Sequence, residues 1–363
     1  MTTATTSPRT GPRTAPQTAP RIAVVVVNYR TPELAIRCAE AVADERETGL
    51  DIRLVVADGG SADGSAETIA AALAGPRFVG WATTLPLAIN GGFGWANNQA
   101  ILTLMQEAAP PEFIHILNPD AVAEPGAIGA LARTLADHPG CGAAGSALLD
   151  GDGRPATSAF RFPTPPREFM RGCRTGAIGR LLGIDDLAMN PAGSDAAGEV
   201  DWVSGASVMF RTAALRDSRL FDDGFFLYFE EVELMHRLAR AGWRTRHVPE
   251  SCVRHIGGAS TGVLQHGDRS TLPRRPGYYY TARRRFFARA GGCPALADIA
   301  FLAGHAIWRL RLLVRLARPS NEIAGEAADT LRAWLRGPAS APASTPPLEA
   351  PPGSPPAWME HGR

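Results

Sequence analysis

From Ile22 the chain alternates between short apolar runs and amphipathic stretches. Ile22–Val27 is an unbroken apolar run dominated by β-branched residues, the pattern of a strand buried on both faces. Thr31-Pro32 opens a helix, with proline in the first turn, where its missing N–H is no loss. Asp51–Ala57 repeats the buried-strand pattern. A Gly/Ser/Asp turn and the helical stretch Ala66–Ala74 follow it. A short strand over Phe78–Trp81, a helix from about Gly94 to Glu107 and the strand Phe113–Leu117 continue the series. Strand and helix alternating at this spacing predict βαβ units, right-handed crossovers and a mostly parallel sheet, an α/β fold class.

The alternation fails from Asp150 to Gly198, which is rich in Gly, Pro, Ser and Asp. It reads as a long irregular insertion with a short helix near Ala177–Leu182. Order returns with the β-type segment Val200–Arg211, a helix over Phe229–Ala241 and the strand Thr245–Pro249. Beyond Gly262 the character changes. Between Arg274 and Arg318 stand ten arginines and one acid, Asp298, with aromatics interleaved. The apolar stretch Ala295–Ala317 is helical in composition but interrupted by charge. It is either an interfacial amphipathic helix or a helix packed on the main domain with a solvated basic face. The expected organisation is a disordered tail over 1–20 and a catalytic-type α/β domain over 21–262, with the insertion at about 150–199. A basic, aromatic helical region over 263–336 and a second disordered tail over 337–363 follow.

Composition narrows the classes. The formal net charge of +1 gives no general signal for nucleic acid. All 37 basic side chains are arginine, so no Walker, kinase-type or Schiff-base lysine exists. The five cysteines are scattered, against a zinc site or a disulfide scaffold and in favour of a reducing cytoplasm. The first residues lack the apolar core of a signal peptide. No apolar run approaches the roughly 20 residues of a membrane span.

Two carboxylates stand at the carboxyl ends of predicted strands, where parallel α/β sheets bind ligands. Asp120 follows Asn118-Pro119, and proline halts the strand sharply. Asp58 follows the second strand beside two glycines that let a ligand approach the backbone. Either aspartate could instead cap a turn. Asn90–Ala100 sets glycines ahead of a helix whose N-terminus suits a diphosphate, although it lacks the dinucleotide fingerprint. Leu234, Met235 and Leu238 lie three, four and seven residues after Glu231, so Glu231 shares their inward face. An inward glutamate lines a cleft as a base of raised pKa, or pairs with a buried arginine. Glu233 and Arg237 read as a surface pair, and Glu230 lies nearer that side. His255, beside a Gly-Gly loop, is either structural or a metal ligand.

These segments in this order resemble the family 2 glycosyltransferases of GT-A fold, in the bacterial rhamnosyltransferase-like branch. The likeness rests on VVVNYRT, ADGGSADGS, NGGFGWANNQA, LNPDA, WVSGASVMFR, FFLYFEEVELMHRLARAGW and HIGGAST, spanning Ile22 to Gly262. The resemblance implies an inverting transferase using a nucleoside-diphosphate sugar and Mg²⁺ or Mn²⁺. Asn28, Tyr29 and Asp58 would flank base and ribose. Asn90, Gly91, Gly92 and Asn97 would face the donor sugar and diphosphate. Asp120 would ligate the metal with His255, and Trp202 and Gly205 would lie on the acceptor side. Glu231 matches the family's catalytic base, with Glu230 as its neighbour in the pair. The metal motif here has one carboxylate where many relatives have two, and the acidic pair is Glu-Glu rather than Glu-Asp.

The expected donor is a deoxyhexose nucleotide such as dTDP-rhamnose. The expected acceptor is a hydroxyl on a polyprenyl-diphosphate-linked or cell-wall precursor, reached by a cytoplasmic enzyme in peripheral contact with the inner membrane face. A soluble natural-product acceptor, a nucleotidyltransferase and a non-catalytic nucleotide-sugar or membrane-surface binding protein are the competing readings.

Overall fold

The computed structural model describes residues 20–184, 197–257, 271–317, 322–337, 353–356 and 359. Most of both predicted tails, the middle of the insertion and the segment after Gly257 lie outside the described residues.

The first half runs β1 (Ile22–Asn28), α1 (Pro32–Glu47), β2 (Ile52–Asp58), α2 (Ser65–Leu73), β3 (Ala82–Pro86), α3 (Phe93–Met105) and β4 (Phe113–Leu117). Next come β5 (Ala121–Ala123), α4 (Ala127–Asp137), β6 (Cys141–Leu149), β7 (Pro155–Ala156), β8 (Ala159–Phe160), α5 (Pro165–Cys173) and α6 (Gly176–Leu182). Then follow β9 (Gly198–Val200), β10 (Trp202–Val203), β11 (Ser207–Arg211), α7 (Thr212–Asp217), α8 (Glu230–Arg240) and β12 (Arg244–His255). The rest is β13 (Thr271–Leu272), α9 (Gly277–Arg289), α10 (Pro294–Leu313), β14 (Glu322–Ile323) and α11 (Glu326–Leu335).

Among the described residues the main sheet has the order β3-β2-β1-β4-β11-β6-β12-β5, with β7 on β6 and β9 on β12. β1 is parallel to β2 and β4, and β3 is parallel to β2. β11 runs antiparallel between β4 and β6. The apolar run of β1 feeds two cores. Ile22, Val24 and Val26 pack with residues of α1, α2 and α4, whereas Ala23 and Val25 pack with residues of α3, α7 and α8. Burial on both faces removes any need for polar alternation.

Phe78–Trp81 is not a strand. It forms a turn closed by Val79 N–H to Gly75 O at 3.1 Å, and β3 starts at Ala82. Phe78 and Trp81, three residues apart, both face the core with ring centroids 5.6 Å apart. Only a helical turn brings both to one side. Within the insertion, the described residues add α5, which sequence patterning reads as irregular. Its two prolines open the helix rather than break it, and Thr164 caps it.

The arginine-rich region is largely consumed inside the protein. Arg283 is 1% exposed and donates to Glu168 Oε2 at 2.7 Å. Its other branch meets Asp298, which Arg284 also engages. Arg285 donates to Asp222 Oδ1 at 2.7 Å. Glu168 comes from α5 and Asp222 from the turn before α8, both far away in sequence, whereas Asp298 belongs to α10 of the same region. The Glu233–Arg237 pair is also interior rather than superficial. Glu233 is 2% exposed, and Arg237 reaches on to the carbonyls of Ser218 and Leu220. That face of α8 is covered by the 218–220 turn and by Arg289 of α9.

α10 lies against α5 through Gly172 and Gly304, where a methyl group at either would collide with the opposite backbone. No helix among the described residues is long and apolar enough to cross a membrane.

Glu168 ties α5 to α9 through Arg283 at 2.7 Å, and Arg171 of its own helix braces it at 2.8 Å. Burial alone would raise its pKa, but the charges and hydrogen bonds of Arg171 and Arg283 outweigh it and hold it at about 2. A folded pKa below the unfolded value gives stability that is present above about pH 4.5 and is lost as pH falls towards 2. Urea unfolding midpoints should therefore drop between pH 5 and pH 3. Glu168→Gln should lower the midpoint at pH 7 and flatten that acid slope. An unchanged slope would remove Glu168 from the linkage.

Candidate active site

A cleft of about 480 Å³ opens at the carboxyl edge of the parallel strands. Its first wall comes from β1, β2 and β4. Asn28 and Asp58, at the ends of paired strands, are buried and face each other, with Asn28 Nδ2 donating to Asp58 Oδ2 at 2.8 Å. Asp58 also accepts from the Ser61 N–H at 3.0 Å and the Ser61 hydroxyl at 2.7 Å. Asn28 Oδ1 accepts from the Thr31 N–H at 3.2 Å. These two side chains lock the loops, while Tyr29 and Gly59 reach the cleft surface. The loops are so close that a side chain at Gly60, with φ +70°, would overlap the Ile89–Asn90 backbone.

Asn90 and Gly92 line the cleft. Asn90 Oδ1 accepts the Gly92 N–H at 3.1 Å and shapes the turn into α3. Gly92 has φ +93°, and a side chain there would strike the Phe226 backbone. Gly91 instead sits under the Trp95 ring. Asn97 is buried and donates to Phe93 O at 2.9 Å, so it braces the first turn of α3 without lining the cleft.

Asp120 emerges where Pro119 ends β4. Register then brings His255 to it, because β5 pairs antiparallel with the end of β12 and Ala121 faces His255. His255 Nε2 lies 3.2 Å from Asp120 Oδ1 and 3.2 Å from Asn118 Nδ2. The pair suits a divalent cation in chemistry and spacing. Neighbouring ligands of a six-coordinate Mg²⁺ or Mn²⁺ lie about 3 Å apart, and carboxylate with imidazole is an acceptable donor set. Among the described residues no cluster of three or more His, Cys, Asp or Glu could hold a metal alone, so the other ligands would have to be diphosphate oxygens and water.

The second wall is the N-terminus of α8. Glu231 is partly exposed to the cleft, and its side chain lies against Gly205. Glu230 is only 3% exposed, not near the surface side. Its side chain is covered from the α3 side, where Gly94 and Phe221 pack. Each glutamate has one buried oxygen with no hydrogen-bond partner among the described residues. Burial raises both pKa values, and the charge of Glu231 raises Glu230 further. The two titrate as a pair that keeps a proton to higher pH than ordinary carboxylates do. Trp202 does not line the cleft. It stacks on Phe160 at 4.2 Å and donates to Arg161 O at 2.9 Å.

Sequence reasoning missed an aromatic rim of Phe226, Tyr228 and Tyr278. Tyr278 comes from α9, and its ring lies 5.3 Å from Phe226 and 6.0 Å from Tyr228. The Tyr278-Tyr279-Tyr280 run was the available signal, but nothing local says which ring faces a ligand.

Comparison with known proteins bears on the family and the fold. The sequence model of the family described as "Glycosyltransferase like family 2" matches residues 20–266. N-acetylglucosaminyl-diphospho-decaprenol L-rhamnosyltransferases of two Mycobacterium tuberculosis strains (CDC 1551 and H37Rv) are each 30% identical to this chain over 224 residues. The alignment covers 58% of this chain and 68% of theirs. Among solved structures, the mannosyltransferase PcManGT of Pyrobaculum calidifontis, in complex with GDP-Man and Mn²⁺, aligns with TM-score 0.53 and 16% identity. That match covers 88% of both chains. GalNAc-T7 with UDP, GalNAc and Mn²⁺ aligns with TM-score 0.51 and 13% identity, over 87% of this chain and 56% of that one. At such identities the structural matches speak for the fold alone. The chain thus belongs to the glycosyltransferase-like family 2, and it is a glycosyltransferase of GT-A fold.

Proposed function

We propose that this enzyme transfers a deoxyhexose, rhamnose, from a nucleoside-diphosphate sugar to a hydroxyl of a lipid-linked N-acetylhexosamine diphosphate, with inversion. The observation that carries the chemistry is that Asp120 and Glu231, remote in sequence, line one cleft. The rhamnosyltransferase relatives support the choice of sugar and acceptor.

In this reading Tyr29 and Gly59 border the nucleoside, and the Asn90–Gly92 turn with the N-terminus of α3 faces the diphosphate. Asp120 and His255 would hold Mg²⁺ or Mn²⁺, which neutralises negative charge on the departing diphosphate. Glu231 lies across the cleft as general base. Its cleft-facing carboxylate takes the acceptor proton as the acceptor oxygen bonds to the anomeric carbon and the bond to the diphosphate breaks. Burial holds the Glu231 pKa above the ordinary carboxylate range, which suits a group that accepts a proton as a base. The aromatic rim offers flat apolar faces to the acceptor sugar.

The acceptor reading also accounts for an exposed apolar face. Leu310, Leu313 and Leu316 are 59%, 81% and 72% exposed, and Leu181 of α6 is 85% exposed. Arg309 and Arg315 are interleaved with them in sequence. Leucine beside arginine suits shallow insertion into an anionic bilayer, which would set the enzyme at the cytoplasmic face of the membrane that carries its acceptor.

Glu231→Gln should lower kcat about 100- to 10,000-fold while dTDP binding and the unfolding midpoint stay near wild type. In the wild type, kcat/KM should rise with pH through the raised pKa of the glutamate pair. Near-normal turnover in Glu231→Gln would end its role as base.

Chelation should abolish transfer, and added Mn²⁺ should restore it. Asp120→Ala should lose the Mn²⁺-dependent gain in dTDP affinity seen by calorimetry. An identical Mn²⁺ effect in that variant would argue against Asp120 as a ligand.

In flotation assays the protein should rise with phosphatidylglycerol vesicles and stay below with phosphatidylcholine. The triple change Leu310→Ser, Leu313→Ser, Leu316→Ser should reduce flotation several-fold with solution activity on a short-chain acceptor retained. Equal flotation of the variant would move the contact elsewhere.

A further inference from the structure

The first turn of α9 separates two cavities. Tyr278 lines the catalytic cleft, whereas Gly277, Tyr280 and Thr281 line a second cavity of about 770 Å³. The remaining wall includes Arg274 and Arg275 from the segment before α9, Arg284 from its third turn, and Asp329, Arg332 and Arg336 from α11 and its end. Among the described residues, five guanidinium groups and a single carboxylate line this space.

Three of these arginines are already committed. Arg274 and Arg332 share Asp329, at 2.7 Å and 2.8 Å. Arg284 is held by Asp298 and donates to Gly337 O at 2.7 Å. Arg275 lies over the Tyr279 ring at 4.0 Å, and neither it nor Arg336 has a carboxylate partner among the described residues. Tyr280 is 4% exposed, and its hydroxyl has no hydrogen-bond partner among the described residues. Burial, with the Glu326 and Asp329 carboxylates nearby, raises the pKa of that hydroxyl, so it remains a neutral donor. Pro276 and Gly277 bring the N-terminus of α9, the positive end of its dipole, to the same space.

Unpaired guanidinium groups, an orphan buried hydroxyl and a helix N-terminus share one complement. Each is satisfied by the oxygens of a phosphate, and the planar guanidinium matches phosphate geometry in particular. A purely structural role would leave the Tyr280 hydroxyl desolvated without compensation.

We infer that this cavity is a second anion site, separate from the donor cleft, that takes a phosphate or diphosphate group. Two sources offer that chemistry. One is the diphosphate of a lipid-linked acceptor whose sugar reaches the cleft past Tyr278, and this source rests on the function proposed above. The other is a phospholipid headgroup.

Calorimetric titration of the full chain with inorganic pyrophosphate, in metal-free buffer, tests the site itself. Asp120→Ala should bind like wild type. The double variant Arg275→Gln, Arg336→Gln should bind about tenfold more weakly or worse. Tyr280→Phe should weaken binding several-fold without lowering the unfolding midpoint, which separates a ligand contact from a folding role. No pyrophosphate binding, or binding lost in Asp120→Ala and indifferent to the arginines, overturns the inference.

Flotation with two vesicle types then distinguishes the source: phosphatidylcholine doped with a polyprenyl diphosphate, and phosphatidylcholine doped with phosphatidylglycerol. Loss by the double variant on the first alone supports the acceptor diphosphate. Equal loss on both supports a headgroup. A pyrophosphate site with no vesicle effect supports a soluble phosphate ligand. Failure of the rhamnosyl reading would show in the Glu231 and Asp120 assays and would leave the pyrophosphate result standing.

Discussion

Two glutamates can stand without a counter-ion at the head of α8 because their neighbours absorb the nearby arginines. Glu233, one turn in, takes Arg237 at 2.8 Å and Arg289 at 3.6 Å. Asp222, just ahead of the helix, takes Arg285 at 2.7 Å and Arg289 at 3.2 Å. Both acids are almost fully buried, so the guanidinium groups are held tightly, and none of these residues lines the cleft. A guanidinium free to reach Glu231 would depress its pKa and remove its value as a base. The ion network therefore serves the site by being closed. It also fixes α9 against α8, and α9 is what brings Tyr278 to the cleft.

What was legible in the sequence follows from how local each signal is. The buried run of β1 and the proline stop before Asp120 are local, and both are found where patterning predicts them. The inward face of α8 was legible as well, since helical periodicity is enough to group Glu231 with Leu234 and Leu238. Where a residue's partner lies far off in the chain, the reading fails. Glu233 and Arg237 look like a surface pair until Ser218, Leu220 and Arg289 cover them. The arginines of α9 look unneutralised because Glu168 and Asp222 lie outside the window counted. Asn28 and Asp58 sit on the expected strand ends, but each is turned towards the other, and no spacing rule shows that. The aromatic rim escaped for the same reason: Tyr278 becomes a site residue only once α9 is docked.

The segment that looks irregular and the segment that looks merely basic are two halves of one packed unit. Gly172 and Gly304 let α5 and α10 approach at backbone distance, and Phe301 and Trp308 fill the sides of that contact. Arg171 and Arg174 lie over those two rings at 4.2 Å and 4.8 Å while reaching acids on α5 and α11. Leu310 and Leu313 of α10 are left exposed, and the arginine cavity lies between α9 and α11. Under the function proposed above, a lipid-linked substrate would use these features together: the exposed leucines at the membrane, the arginine cavity for phosphate, and Tyr278 at the edge of the catalytic cleft.

Backbone conformation joins these parts. Tyr228 and Phe229 both have positive φ, at 74° and 67°, immediately before Glu230. Neither is glycine, and each such residue costs on the order of 1–3 kcal/mol. The cost is met by packing: Phe229 lies 5.5 Å from Tyr279 and 5.8 Å from Phe286, and Tyr228 lies 5.3 Å from Tyr279. Reversing the chain there sends the aromatic side chains towards α9 and starts α8 with its two acids directed at the cleft. Were the turn relaxed, α8 would begin at a different angle and Glu231 would no longer line the cleft. The strain and the site geometry are therefore one feature, held in place by a helix that reads, in the sequence, as no more than a basic appendage.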